Sequence, residues 1–348
     1  MTDTKLSDLT GTVQYNCNIS DARHGTDFSL CIYLMKMREY YRWEKRLPFG
    51  VALDRGSVGD WLQAREELWE RLEEEELKPV EVDGRVYDPF DADGINERLR
   101  PAGLVYSGGL GNQAKPHFVL GDLQSHREAG AYSVYVVAEE HARDLAAPPA
   151  MTLGHNIFLR RESLRRMLWE KLESWRWNRP DNALGRAFAH YDFESALDLS
   201  LDSMVDREIN VVLLHEQGEH EAGVRLGEGW SRMLMDLIHT PAELMARAVR
   251  DHLADCLTTL PELARGGDDA SLHFYVGNLT HMRKDLFPGL EQAYDSWRHS
   301  GDTNTILAIA ARGREHWERL AMSMLEQHAQ SGPDAADAIR ELVESNRI

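Results

Sequence analysis

Hydrophobic residues fall at helical spacing from Phe28 to Arg46 (FSLCIYLMKMREYYRWEKR), where Phe28, Ile32, Met35 and Trp43 form one line. Thr26 and Asp27 precede them as caps, and Pro48 ends the run because the residue before a proline resists the α region. A second, highly charged helix is predicted from Asp60 to Leu77, with Leu62, Leu68, Trp69 and Leu72 as a narrow apolar stripe and Glu73 to Glu76 as a solvated face. From Pro79 to Arg161 the pattern changes to short β-branched and aromatic runs punctuated by Gly, Pro and Asp: GLVYSGG, PHFVLGD, AYSVYVVA and HNIFLRR. These read as the strands of a small mixed or antiparallel sheet.

After Glu162 the helical period returns and holds to the end, in segments near 162–177, 193–226, 228–238, 241–260, 271–286, 289–299, 303–329 and 333–346. Pro180, Pro241, Pro261, Pro288 and Pro333 fall where helices should begin or break, which suits a bundle with short connections. The pattern therefore predicts an α+β protein. An N-terminal α+β domain, residues 1–161, is followed by a larger helical bundle domain, residues 162–348.

At 348 residues the chain is long enough for two cores. Lys and Arg number 39 against 58 Asp and Glu, a net charge of −19 that disfavours nucleic acid and anionic membrane surfaces as partners. The N-terminus lacks a basic segment followed by an apolar one, and no run approaches the ~18 apolar residues of a spanning helix. Three scattered cysteines, Cys17, Cys31 and Cys256, are too few for a disulfide framework, so a reducing cytoplasm is expected.

The chemistry concentrates in residues 204–226, MVDREINVVLLHEQGEHEAGVRL. At about 100° per residue, with Glu208 at 0°, His215 falls near −20° and Glu219 near 20°, on the stripe that carries Val212, Ala222 and Leu226. Glu216 and His220 flank it at about 80° and 120°. Two carboxylates and an imidazole on an apolar stripe are costly unless paired or bound to a cation. One reading makes Glu208, His215 and Glu219 one wall of a carboxylate-rich site for two iron or manganese ions, with His252 from a facing helix. His281 and Asp285 are further ligand candidates, and Glu216 or His220 the proton carrier. In a second reading, His215-Glu216-x-x-Glu219 resembles the zinc-protease HExxH helix with Glu219 in place of the second His and Glu216 as base. A third makes the cluster a hydrogen-bonded core network neutralised by Arg207, Arg225 or Arg232. Gly218, mid-helix, points to close helix approach or a local break.

Two other features compete for a role. Cys17, Asp21, His24 and Cys31 gather in CNISDARHGTDFSLC, where Asn18, Ser20 and Asp21 also read as turn and cap formers and Cys31 as a buried thiol. Glu39 continues the Phe28 line inward, and pairing with Arg38 or Arg42 is expected. Gly109-x-Gly111-x-x-Ala114 matches a dinucleotide-binding pattern, but a strand follows where a helix is needed, so a hairpin is the better reading.

The segments CNISDARHGTDFSLCIYLMKMREYYRWE and INVVLLHEQGEHEAG resemble those of an uncharacterised bacterial family spanning most of this length. The resemblance implies no activity, cofactor or catalytic residue. The residues alone lead to an expected non-haem iron oxidoreductase acting on a small molecule, with a zinc-dependent hydrolase as the enzymatic alternative. The non-catalytic alternative is an assembly protein whose acidic surface takes a basic protein partner.

Overall fold

The computed structural model describes residues 2–111 and 114–348, and the chain separates into two compact units, one ending at Glu170 and the other beginning at Lys171. In the N-terminal unit, helices α1 (Asp3–His24), α2 (Leu30–Glu44) and α3 (Arg55–Leu72) precede a two-stranded ribbon, β1 (Val80–Val82) and β2 (Arg85–Tyr87), and a short helix, α4 (Ala92–Leu99). Strands β3 (Leu104–Leu110), β4 (Pro116–Ala129), β5 (Tyr132–Arg143), β6 (Ala150–Leu153) and β7 (Asn156–Arg160) form one sheet in the order β3-β4-β5-β7-β6. The sheet is mixed: β5 and β7 run parallel and the other neighbours antiparallel. All these strands lie inside the predicted Pro79–Arg161 window.

Helix α1 lies where turn formers were read. Its side chains find tertiary partners instead of their own backbone, which removes the competition that makes Asn and Asp poor helix formers. Asn18 Oδ1 accepts from Arg65 Nη1 at 2.8 Å, and Asp21 Oδ1 accepts the amide of Leu145 at 2.8 Å. Leu9, Val13 and Cys17 of α1 enter a core with Ile95, Tyr106, Phe118 and Leu120. In α2 the expected inward line fails at its start: Ile32 is 47% and Met35 45% exposed, and Cys31 is exposed. The helix buries Met37 and Tyr40 against Trp69 and Leu145. Glu39 is buried as predicted and takes Arg38 Nε at 2.8 Å and Arg42 Nε at 3.2 Å. Of the dinucleotide-like pattern, Asn112 and Gln113 lie outside the described residues; around it β3 and β4 pair antiparallel up to Leu110 opposite Pro116, as a hairpin requires.

Helix α5 (Arg161–Asn178) runs across the boundary, and the C-terminal unit continues with α6 (Ala183–Phe188), α7 (Leu197–Leu226), α8 (Glu228–Asp236) and α9 (Pro241–Ala254). A π-helical turn (Asp255–Thr259) leads into α10 (Leu260–Gly266), then α11 (Asp269–Asn278), α12 (His281–Leu286), α13 (Pro288–Ser300), α14 (Asn304–Ser331) and α15 (Ala336–Glu344). Pro241 and Pro288 open α9 and α13, where a missing amide costs nothing. The single helix expected over 271–286 is two, because Leu279 leaves the helical region and Thr280 caps α12 through Arg283 N–H. The core is continuous, with Leu253, Leu260, Phe287, Trp317, Ala321 and Ile339 among its buried members. Among the described residues no helix is long and apolar enough to cross a membrane.

Candidate metal centre

The site forms where α7 meets α9 and the π-helical turn. Helix α7 is unbroken through Gly218, and the glycine allows close approach: a Cβ there would collide with the carbonyl oxygen of Ala254 and with Thr258 Oγ1. Thr258 ties the contact by donating its hydroxyl to the Leu214 carbonyl at 2.6 Å. Opposite, the chain widens just before Pro261, which has no N–H and whose ring would clash with the carbonyl four residues back in a regular helix. The amide of Leu260 reaches instead to the carbonyl of Asp255, five residues back. Asp255 thus opens the turn beside His215.

His215 and Glu219 sit one helical turn apart, with Nε2 and Oε1 3.7 Å from each other. On the other edge of the ring, Nδ1–H donates to Asp255 Oδ1 at 2.8 Å. Asp251 completes the group, since one donor atom each from His215, Glu219 and Asp251 lie within 4.8 Å of one another. Asp255 is buried, whereas the side chains of His215, Glu219 and Asp251 keep 27%, 18% and 26% of their surface, so the cluster opens at a rim. Two arginines hold the carboxylates: Arg250 Nη2 donates to Glu219 Oε1 at 2.6 Å, and Arg283 Nη2 donates to Asp255 Oδ2. Tyr275 adds its hydroxyl to the same Oδ2 at 2.8 Å.

The charges follow from this geometry. Burial alone would lower the His215 pKa, but Asp255, then Glu219 and Asp251, outweigh it and raise it to about 10. Burial works against ionised Glu219, yet Arg250 and the imidazolium hold its carboxyl below the usual range. Burial likewise opposes the charge on Asp255 and is overcome by His215 and Arg283, which keep it well below that range. Asp251 goes the other way, raised by burial and by the Glu219 charge. Counted as ions, Glu219, Asp251 and Asp255 face the His215 imidazolium, Arg250 and Arg283. The arrangement is a histidine bonded to a carboxylate on one nitrogen with two carboxylates beside the other, a setting that favours the imidazolium as it stands and could hold a cation only if the Nε2 proton were displaced.

The remaining sequence candidates lie elsewhere. Glu208 shares the stripe of His215 but sits seven residues away, about 10 Å along the axis, and it accepts from Ser271 Oγ at 2.8 Å. His252 points inward as expected, but into an aromatic nest: its ring stacks on Trp317 at 4.9 Å and meets Phe287 edge-on at 5.2 Å, while Nε2–H donates to the Arg283 carbonyl at 3.0 Å. Burial and the Arg283 charge hold it neutral, well below the usual histidine range. His281 and Asp285 pair with each other at 3.4 Å on the surface, where the imidazole is 92% exposed. Glu216 is buried on α7, and its charge acts on Arg250. His220 is half-buried on the same helix. Neither belongs to the donor group.

The cluster's counter-charges are Arg250 and Arg283, while Arg225 pairs with Glu318 at 3.3 Å and Arg207 with Asp268 at 3.5 Å, the Arg207 charge acting on Glu208. Asp251, Asp255, Arg250 and Arg283 were not singled out from sequence. The available signal was the four-residue spacing of Asp251 and Asp255, which matches that of His215 and Glu219. Of the N-terminal candidates, Asp21 and His24 line one small cavity, whereas Cys17 is buried with its thiol toward the Phe118 carbonyl and Cys31 is exposed on α2.

Family models match both parts of the chain: residues 8–160 match the N-terminal domain, and residues 165–346 the C-terminal domain, of a family of unknown function, DUF6866. No curated protein and no solved structure matches.

Proposed function

The chain belongs to the DUF6866 family, whose description supplies no activity, and from the site's geometry we propose that the C-terminal unit binds one transition-metal ion through His215, Glu219 and Asp251. The observation that carries this reading is the anchoring of His215: with Nδ1–H committed to Asp255, a metal ion would displace the proton of Nε2, the nitrogen beside Glu219, and take its lone pair. One imidazole and two carboxylates suit iron or manganese better than zinc, which favours nitrogen and sulfur donors. The cluster's open rim would admit a small molecule, and iron there would supply redox chemistry, so a non-haem iron oxidoreductase remains the leading reading. A zinc hydrolase is its alternative. Glu216 and His220, on the same helix, are the proton carriers in this reading. We assign the protein to a reducing cytoplasm on its three free cysteines.

A second reading rests on Arg250. Its guanidinium already occupies Glu219 Oε1 at 2.6 Å, and with His215 protonated the three acids and three bases balance. The cluster would then fix helix packing in an assembly protein, whose acidic surface recruits a basic partner. Metal per chain separates the two. Elemental analysis should find close to one ion in wild type, little in His215→Gln, and wild-type content in Arg225→Ala, whose side chain is tied to Glu318. Equal content in wild type and His215→Gln would overturn the metal reading.

A further inference from the structure

A small cavity of about 20 Å³ in the N-terminal unit lies among the end of α1, the start of β4 and the loop after β5. That is room for one water-sized group. Buried Asp21, Asp144 and Leu145 form its floor, and the partly exposed His24, Phe28 and Lys115 stand toward solvent. The two floor carboxylates differ in their partners. Asp144 is fully served: it accepts from His117 Nδ1 at 3.2 Å, from the Phe118 amide at 3.3 Å and from the Ala147 amide at 2.6 Å. Among the described residues Asp21 receives the Leu145 amide, on Oδ1, and its buried Oδ2 has no donor.

An unserved buried carboxylate oxygen costs free energy, and the cavity beside it is where a donor fits. Lys115, at the mouth, is engaged elsewhere: its Nζ meets Asp27 Oδ2 at 2.7 Å. Burial, with the Asp144 charge, holds the Asp21 carboxyl well above the usual carboxylate range, and the charges of Arg65 and Arg143 only partly offset this. An anion would meet two carboxylates at the floor. A neutral water would supply a donor without charge, whereas an ammonium group is of similar size, carries three donors and supplies both. We propose that this cavity binds the primary ammonium group of a small amine, with Asp21 Oδ2 as the acceptor. The Phe28 ring at the entrance already faces the ammonium groups of Lys36 at 5.1 Å and Lys115 at 5.8 Å, so the incoming amine enters beside them.

Methylammonium chloride is the probe, with tetramethylammonium chloride at equal ionic strength as a cation that has no N–H and is too large for the space. Titration of the full chain, read at the backbone amide of Leu145 by NMR, should give a saturable shift with methylammonium and none with tetramethylammonium. Asp21→Asn keeps the Oδ1 acceptor and removes the charge, and it should weaken methylammonium binding by about tenfold or more. If that variant does not fold, the wild-type titration decides alone. A linear or absent shift at Leu145, an equal response to both cations, or unchanged affinity in Asp21→Asn would overturn the proposal and leave an ordered water as the occupant.

Discussion

Nδ1 of His215 lies 2.8 Å from Oδ1 of Asp255, so the first residue of a π-helical turn sets the orientation of a ring on another helix. Asp255 is also the common acceptor for Arg283 and Tyr275. Its replacement by Asn should therefore act twice. It leaves Arg283 buried without its counter-charge, an effect of about 3–5 kcal/mol on stability, and it should weaken metal binding by about 10- to 100-fold. Denaturant titration and metal-binding titration on the same preparation check both. Unchanged stability would mean that Arg283 finds another partner.

Gly218 should tolerate no larger residue. In an exposed helix Gly→Ala gains about 1 kcal/mol, but here the methyl group meets the Ala254 carbonyl and Thr258 Oγ1. Gly218→Ala should destabilise by about 1–3 kcal/mol as α7 is pushed away, and should lower metal affinity by separating His215 from Asp251. Gly223, with open space around it, is the control: Gly223→Ala should be neutral or stabilising. Thermal unfolding of the two variants side by side makes the comparison.

The same contact shows what sequence could and could not reveal. The strands between Pro79 and Arg161 and the helices after Glu162 were legible because hydrophobic period and proline positions are local properties. His215 and Glu219 were legible as a pair because four residues is one turn. Glu208 was wrongly joined to them because a helical wheel fixes angle and not height. Asp251 and Asp255 were hidden for a different reason: their approach depends on Gly218 admitting a second helix and on the wider turn before Pro261, both tertiary facts. His252 illustrates the converse, an inward imidazole whose neighbours turn out to be Trp317 and Phe287. In α1, burial overrode turn propensity, because Asp21 and Asn18 found partners far away in the chain.

Glu208 predicts a pH dependence. It is 1% exposed, and burial, only partly offset by the Ser271 hydrogen bond, raises its pKa to about 7. A carboxyl whose folded pKa lies above the unfolded value stabilises the native state fully below pH ~4.5 and loses that contribution as pH rises to about 7. The loss at pH 8 is on the order of 3 kcal/mol. Glu208→Gln removes the charge and should be more stable than wild type at pH 8 while differing little at pH 4.5. Urea titrations at the two pH values test this, and identical pH slopes in the two proteins would disprove it.

Arg250 offers the sharpest separation of the two readings of the cluster, because it plays opposite parts in them. As a structural counter-ion it stabilises Glu219, so Arg250→Gln should cost about 1–3 kcal/mol in metal-free protein under either reading. The difference appears on adding metal. If His215, Glu219 and Asp251 are ligands, removing the guanidinium frees Glu219 Oε1 and removes a repelling positive charge, so Fe²⁺ or Mn²⁺ should bind about tenfold more tightly than to wild type. Metal should then recover the lost stability in a concentration-dependent way, as a ligand of the native state must. If the cluster is a packing network, the acids left by Arg250→Gln take up protons, and no metal ion restores stability. Thermal unfolding of wild type and Arg250→Gln across a manganese series distinguishes these outcomes, and a variant stabilised no more than wild type at every concentration would remove the metal site from consideration.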